Sequence, residues 1–253
     1  MLQYLNEEMP KNDFLVYSVL CGVMYLTSIS YFDDLNLVSI RIRNLWTSNI
    51  FAITSAVQSS AYLMDYSSKS SIDAVVIYIL LYAIGDLSDM RKIKYPGKTG
   101  QIVHHVMMII MFLIRFLNLF GFITLPTSYH YLVARNFLSE YTTPFLNYCF
   151  YCYYKDKKLE NREVRNGFLL SSKLLAATYI PFRIINLLTL FIYTSSLVAA
   201  DQSQSLFTTN NISKWSHFLL LIMNCVWWYK IVTKIRSFDI QQVNKNERLL
   251  RQS

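Results

Sequence analysis

The chain has 253 residues and a mass of 29.7 kDa, with 53% hydrophobic, 15% aromatic and only 16% charged residues, too apolar for an ordinary soluble domain. This composition excludes disorder, collagen and a disulfide scaffold. A net charge of +8 fits either nucleic acid or a membrane surface, and the distribution of charge decides between them: the basic residues lie between long apolar runs. With no repeat and no long polar linker, the chain reads as one domain unit.

About 20 apolar residues are needed to cross a hydrocarbon core of roughly 30 Å, and seven stretches qualify. The first, residues 14–32, is expected to stay as a helix, because Glu7, Glu8 and Asp13 precede it where a cleaved leader would be basic. It carries little polarity beyond Ser18 and Tyr25. The second, 46–66, is rich in Ser and Thr and aligns Ser48, Ala52, Ser55, Ser59 and Tyr62 at helical spacing. The third, 72–88, is short and aligns Ile79, Tyr82, Asp86 and, just beyond it, Asp89. The fourth, 102–122, opens on His104-His105 and aligns His104, Met108, Met111 and Arg115. The fifth, 129–153, aligns Asn136, Glu140, Thr143 and Asn147, and Thr143-Pro144 predicts a kink that opens space beside Glu140. The sixth, 168–195, aligns Ser172, Ala176, Tyr179, Arg183 and Asn186; the seventh, 216–235, aligns His217, Leu221, Asn224 and Trp228.

Of the 24 Lys and Arg residues, 17 fall in alternate loops and the tail, among them Arg41 and Arg43, Arg91 to Lys98, Lys155 to Arg165, and Lys230 to Arg251. Only Lys11, Lys69 and Lys214 fall in the others. Cytosolic loops retain positive charge, so the expected topology has a lumenal N-terminus and a cytosolic tail, with the Asn211-Ile212-Ser213 sequon outside. The remaining basic residues, Arg115, Arg135, Lys173 and Arg183, lie within spans, as do Asp86 and Glu140. A charge at mid-bilayer costs about 2.5–3.5 kcal/mol, so these must face inward. The expectation is an all-α membrane protein in which six helices form a ring around a polar interior, with the first packed outside. Its parts are an N-terminal segment with the first helix (1–43), the six-helix domain (44–235) and a basic cytosolic tail (236–253).

The chemistry centres on the cytosolic end. Asp86, ending the third span, stands level with His104 and His105, and a carboxylate beside an imidazole fixes its tautomer and makes it a general base or nucleophile. The bland alternative is a pair of interfacial histidines bonded to neighbouring loops. Arg91, Lys92, Lys94 and Lys98 are placed to hold the phosphates of a cytosolic acyl-CoA. Glu140 and Arg183 read equally as a helix-clamping pair or as a lipid-headgroup site, whereas Arg135 reads as structural, and each Arg within the membrane needs a partner such as Glu140. Met107, Met108 and Met111 read as packing. Gly97-Lys98-Thr99 is not a phosphate loop, because Lys92 stands where that motif needs Gly. Cys149 and Cys152 lie within a span and read as small apolar thiols. No metal, cofactor or nucleic acid is expected.

Five blocks in order, Tyr82 to Leu87 (Y-A-I-G-D-L), His104-His105, Glu140 to Asn147 (E-Y-T-T-P-F-L-N), Pro181 to Ile184 (P-F-R-I) and Asn224 to Ile231 (N-C-V-W-W-Y-K-I), resemble the TLC domain, named for its TRAM, Lag1 and CLN8 members. The resemblance covers roughly residues 44–235, and Trp46 is similar to the Trp that opens the domain. It implies a multispan protein of the endoplasmic reticulum in lipid metabolism or homeostasis, with membrane lipids as partners. Its Lag1 branch implies ceramide synthesis by acyl transfer from acyl-CoA, with a His pair resembling His104-His105; Glu140, Asn147, Arg183, Asn224 and Trp228 would then bind substrate. Two departures favour the smaller TLC-domain proteins. Arg115 and Asn118 follow the pair where Lag1 members continue with His and Asp, and Ser55 stands where many members have His. The alternative is therefore a non-enzymatic lipid binder, regulator of membrane composition or cargo protein.

Overall fold

The computed structural model describes residues 8–31, 37–92, 98–126, 128–156, 159–200 and 209–250, which are helical apart from short turns. They form seven rods. The first four are α1 (Lys11–Tyr31), α2 (Leu37–Leu63), α3 (Lys69–Lys92) and α4 (Lys98–Leu119). The fifth joins α5 (Tyr129–Phe137), a 3-10 stretch (Leu138–Thr142) and α6 (Thr143–Lys155). The sixth joins α7 (Arg162–Tyr179), a π-helical stretch (Ile180–Ile185) and α8 (Asn186–Ala200), and the seventh is α9 (Thr209–Leu250).

Boundaries depart from expectation where local chemistry says they should. No Gly or Pro interrupts residues 37–63 or 209–250, so α2 takes in Arg41 and Arg43, and α9 continues through most of the expected separate tail. Conversely, α4 stops before residue 122 because Gly121 adopts φ +76° and sends its amide back to the Asn118 carbonyl, while Phe122 donates to the Leu117 carbonyl at 2.9 Å. The start of α7 is capped by Asn161, whose side chain accepts from the amides of Glu163 and Val164.

Prolines break the fifth and sixth rods. Pro144 has no N–H for the Glu140 carbonyl four residues back, and the amide of Thr143 bonds that carbonyl instead, at the tighter 3-10 spacing. Pro181 lies at the start of the π stretch, where the helix widens past the same defect. The kink expected at Thr143-Pro144 is thus a 3-10 turn, and the π turn is its counterpart on the next rod. The two irregular stretches pack against each other.

Four segments among the described residues are long and apolar enough to span a bilayer: Lys69–Ser88, Ile102–Leu119, Arg162–Ala200 and Asn210–Arg236. Of the seven spans expected, the others fall short of this test because α2 is diluted by Ser, Thr and Asn and the fifth rod by Tyr, Thr, Asn, Arg135 and Glu140; part of α1 lies outside the described side chains. The exposed large side chains include many apolar ones, and the interior holds polar and charged groups beside its apolar core. Val103, Val106, Ile110, Leu113 and Leu117 form an exposed stripe along α4, while Asp73, Asp86, Arg115, Glu140 and Arg183 are all buried. A continuous exposed apolar face suits lipid and not water.

Packing is organised around α2, which touches α3, α5, the 3-10 stretch and α6. Further contacts join α3 to α4, α6 to α7, and α8 to α9. The first helix lies against α3 and reaches α4, where Phe14 stacks on Phe112 with ring centres 5.5 Å apart. Phe14 is fully buried in the largest apolar cluster, so α1 is an integral part of the core.

Candidate functional site

Helical spacing brings the expected pair together. Asp86 near the end of α3 and His105 near the start of α4 meet with Oδ2 and Nε2 2.9 Å apart, both buried. The Tyr82 ring flanks His105 at 5.4 Å; it also stacks on Phe51 at 4.5 Å, and its hydroxyl donates to Ser48 Oγ. These contacts hold Asp86 and His105 from the α2 side. His104 meets His105 edge-on at 5.5 Å and turns the other way, toward Trp227 of α9 at 6.2 Å.

Adjacent histidines therefore have different roles in the architecture. A cavity of about 200 Å³ is lined from every rod but the first, and its wall includes His104 and Asp86 but not His105. Lys230, Trp227 and Phe150 belong to the same wall, with Glu140, Thr143, Tyr179 and Arg183. A second cavity of about 50 Å³ shares His104, Glu140 and Arg183 and is otherwise largely apolar, with Met107, Met108, Met111, Leu187 and Leu220. The three shared residues form a polar waist between the two.

Both charged members of the waist come from the broken rods. Arg183 sits in the π stretch and donates through Nε to Thr142 Oγ1, through Nη2 to Thr143 Oγ1 at 3.0 Å, and through Nη1 to Asn224 Oδ1 at 3.4 Å. Thr143 in turn donates its hydroxyl to Glu140 Oε2 at 2.7 Å. Arg183 and Glu140 are thus linked through one hydroxyl and make no direct ion pair. Tyr179 also donates to Asn224 Oδ1, at 2.9 Å, and its ring lies under the guanidinium.

The other expected binding residues divide. Asn224 lines the smaller cavity and bonds Arg183 and Tyr179. Asn147 lines the larger cavity, but its amide also ties α6 to α2 through Asn49 Oδ1 at 2.8 Å. Trp228 stacks on Tyr179 at 5.6 Å, outside both cavity walls, and the wall position belongs to Trp227. Ser55 is fully buried and spends its hydroxyl on the Phe51 carbonyl of its own helix. Arg91 is exposed, whereas the side chains of Lys92, Lys94 and Lys98 lie outside the described residues.

Arg115 is a correction. It does not face Glu140: its guanidinium forms a fork with Asp73 on α3, Nε to Oδ1 and Nη2 to Oδ2, both at 2.8 Å. His130 Nε2 approaches Asp73 Oδ1 at 3.2 Å, Met9 N–H donates to Oδ2, and Glu8 reaches Arg115 at 3.1 Å. The buried face of α4 is accordingly His105, Met108, Phe112 and Arg115: it keeps Met108 and Arg115 of the expected stripe and has His105 and Phe112 in place of their neighbours His104 and Met111. Sequence reasoning passed over Asp73 and His130, although an acid inside a span is the signal that finds such a partner. Arg135, expected in a helix-holding ion pair, instead bonds the neutral side chains of Asn186, Tyr131 and Thr189 and so ties α5 to α8. Among the described residues, no group of three or more His, Cys, Asp or Glu is placed to hold a metal.

Set against known families, the chain matches the family model of the TLC domain over residues 6–233, a range that takes in the first helix. No curated protein and no solved structure matches it.

Proposed function

The chain belongs to the TLC-domain family, and from that membership and the cavity we propose that it is a lipid-handling protein of the endoplasmic reticulum membrane, with His104 as the base for acyl transfer from acyl-CoA. The observation that carries the reading is a pair of neighbouring cavities that share His104, Glu140 and Arg183: the larger, a chamber, also holds Asp86 and Lys230, and the smaller is a largely apolar slot. That pairing of surfaces matches an amphiphile, headgroup in the chamber and chain in the slot. His105, behind the wall, and Asp86, which lines it, are in contact and serve as positioning residues. His104 would accept the proton of an amine or hydroxyl acceptor as it attacks the thioester carbonyl, with the CoA thiol leaving. Six rods forming a ring around this interior complete the reading, with α1 lining neither cavity and packed by Phe14 into the apolar core beside α3 and α4.

A second reading, lipid binding without turnover, is favoured by Ser55 and Arg115. The side chains standing at or near the departures from the Lag1 pattern serve the fold and not the cavity. The discriminating experiment supplies purified protein in nanodiscs with labelled long-chain acyl-CoA and a panel of sphingoid and lysolipid acceptors. Acyl product dependent on His104 supports the enzyme. Lipid that co-purifies with no acyl product, together with unchanged cellular lipids in a strain carrying both His104→Ala and His105→Ala, supports the binder.

The topology belongs to the same proposal. A cysteine-accessibility scan is expected to find residues 91–98, 155–165 and the tail on the cytosolic side, and residues 201–214 on the lumenal side. Labelling of 155–165 and 201–214 from one side would overturn it.

A further inference from the structure

Arg183 and Glu140 are each at least nine-tenths buried, both line the two cavities, and neither has an ion-pair partner among the described residues. The other buried charges contrast with them: Asp73 is forked by Arg115, and Asp86 touches His105. Arg183 is held only by neutral groups, two Thr hydroxyls and the Asn224 amide oxygen. Glu140 receives only the Thr143 hydroxyl. Opposite charges this deep would pair directly if their role were to clamp helices, because each pays a desolvation cost that only a counter-charge offsets.

Thr143 holds them apart while facing both, and its own backbone position follows from the 3-10 turn that Pro144 imposes. The result is a cation and an anion, fixed one hydroxyl apart and open to a cavity. We propose that this waist recognises a zwitterionic lipid headgroup, an ammonium next to a phosphate or carboxylate, with the anionic group on Arg183 and the ammonium on Glu140. The inference rests on the lipid-binding reading and names its ligand class. An anionic lipid would leave Glu140 facing like charge, and a purely cationic amphiphile would do the same to Arg183. The apolar slot, with Met107, Met111 and Leu220, assigns the ligand to a lipid and not to a free zwitterion.

The test is native mass spectrometry of the full chain in detergent, titrated with four lipids that share dioleoyl chains: phosphatidylethanolamine, phosphatidic acid, a trimethylammonium-propane lipid and diacylglycerol. Soluble phosphorylethanolamine is the fifth arm. Phosphatidylethanolamine is expected to bind about tenfold tighter or more than each of the others, about 1.4 kcal/mol. Glu140→Gln should abolish its advantage over phosphatidic acid, and Arg183→Gln its advantage over the cationic lipid, while diacylglycerol binding stays constant and reports the fold. Equal binding of all four lipids, or preference for one of single charge, overturns the inference and leaves lipid binding intact. Failure of every lipid to bind overturns lipid binding itself. Phosphorylethanolamine binding as tightly as the lipid overturns the assignment to a lipid. The wild-type ranking alone decides should a variant not fold.

Discussion

Asp73→Asn and Arg115→Met are each expected to destabilise the bundle by about 3–5 kcal/mol, the range found when one member of a buried ion pair is removed and the other stays charged. Asp73 is fully buried, and it receives both arms of the guanidinium as well as the Met9 amide and an approach from His130. Losing its charge leaves Arg115, itself 1% exposed, with only Glu8 as counter-charge. Glu8 is nearly half exposed, so Glu8→Gln should cost under about 1 kcal/mol. The double change Asp73→Leu with Arg115→Leu should recover part of the loss, because no charge is then orphaned. Chemical unfolding in mixed micelles, followed by circular dichroism, measures all four. A cost below about 1 kcal/mol for Asp73→Asn would show that the fork does not hold the first helix and α4 to α3.

His104→Ala is expected to lower acyl-transfer turnover by about 10² to 10⁴-fold, the usual contribution of a positioned general base. The choice of His104 over its neighbour follows from the wall of the cavity, which His104 forms and His105 does not. Asp86→Asn should cost less than His104→Ala and should shift the pH dependence of turnover. Asp86 acts on His104 through His105, so its loss changes how the base is poised without removing it. His105→Ala should fall between the two. Acyl-CoA binding should persist in all three, measured by fluorescence quenching with an acyl-CoA analogue. Full turnover in His104→Ala would eliminate the proposed base, whereas loss of acyl-CoA binding in every variant would identify the pair as structural.

The amphipathic arrangement was legible from the sequence. Ser48 and Ser59, Tyr179 and Arg183, and His217 and Asn224 recur at helical spacing, and each pair is buried apart from lipid. Insertion cost explains this: a polar stripe in a bilayer has nowhere to face but inward, whichever helix it meets. The nearness of Asp86 to His105 was readable for a related reason, since α3 ends and α4 begins on the same side of the membrane and a short connection puts the two ends level.

Partner choice was not legible. Arg115 could meet Glu140 or Asp73 with equal chemical sense, and the decision depends on which helix packs against its face of α4 and at what rotation, since a single residue of phase is about 100°. The same phase decides that His104 lines the cavity while His105 lies behind it. Pro144 announced a kink, yet the place of the Thr143 hydroxyl between Glu140 and Arg183 depends on the π turn that carries Arg183 in another rod packed against it. Sequence periodicity thus determined which faces turn inward, because that is set by the solvent. Which inward groups touch was decided only by tertiary packing, because rotation and offset between helices are fixed by side chains far apart in the chain.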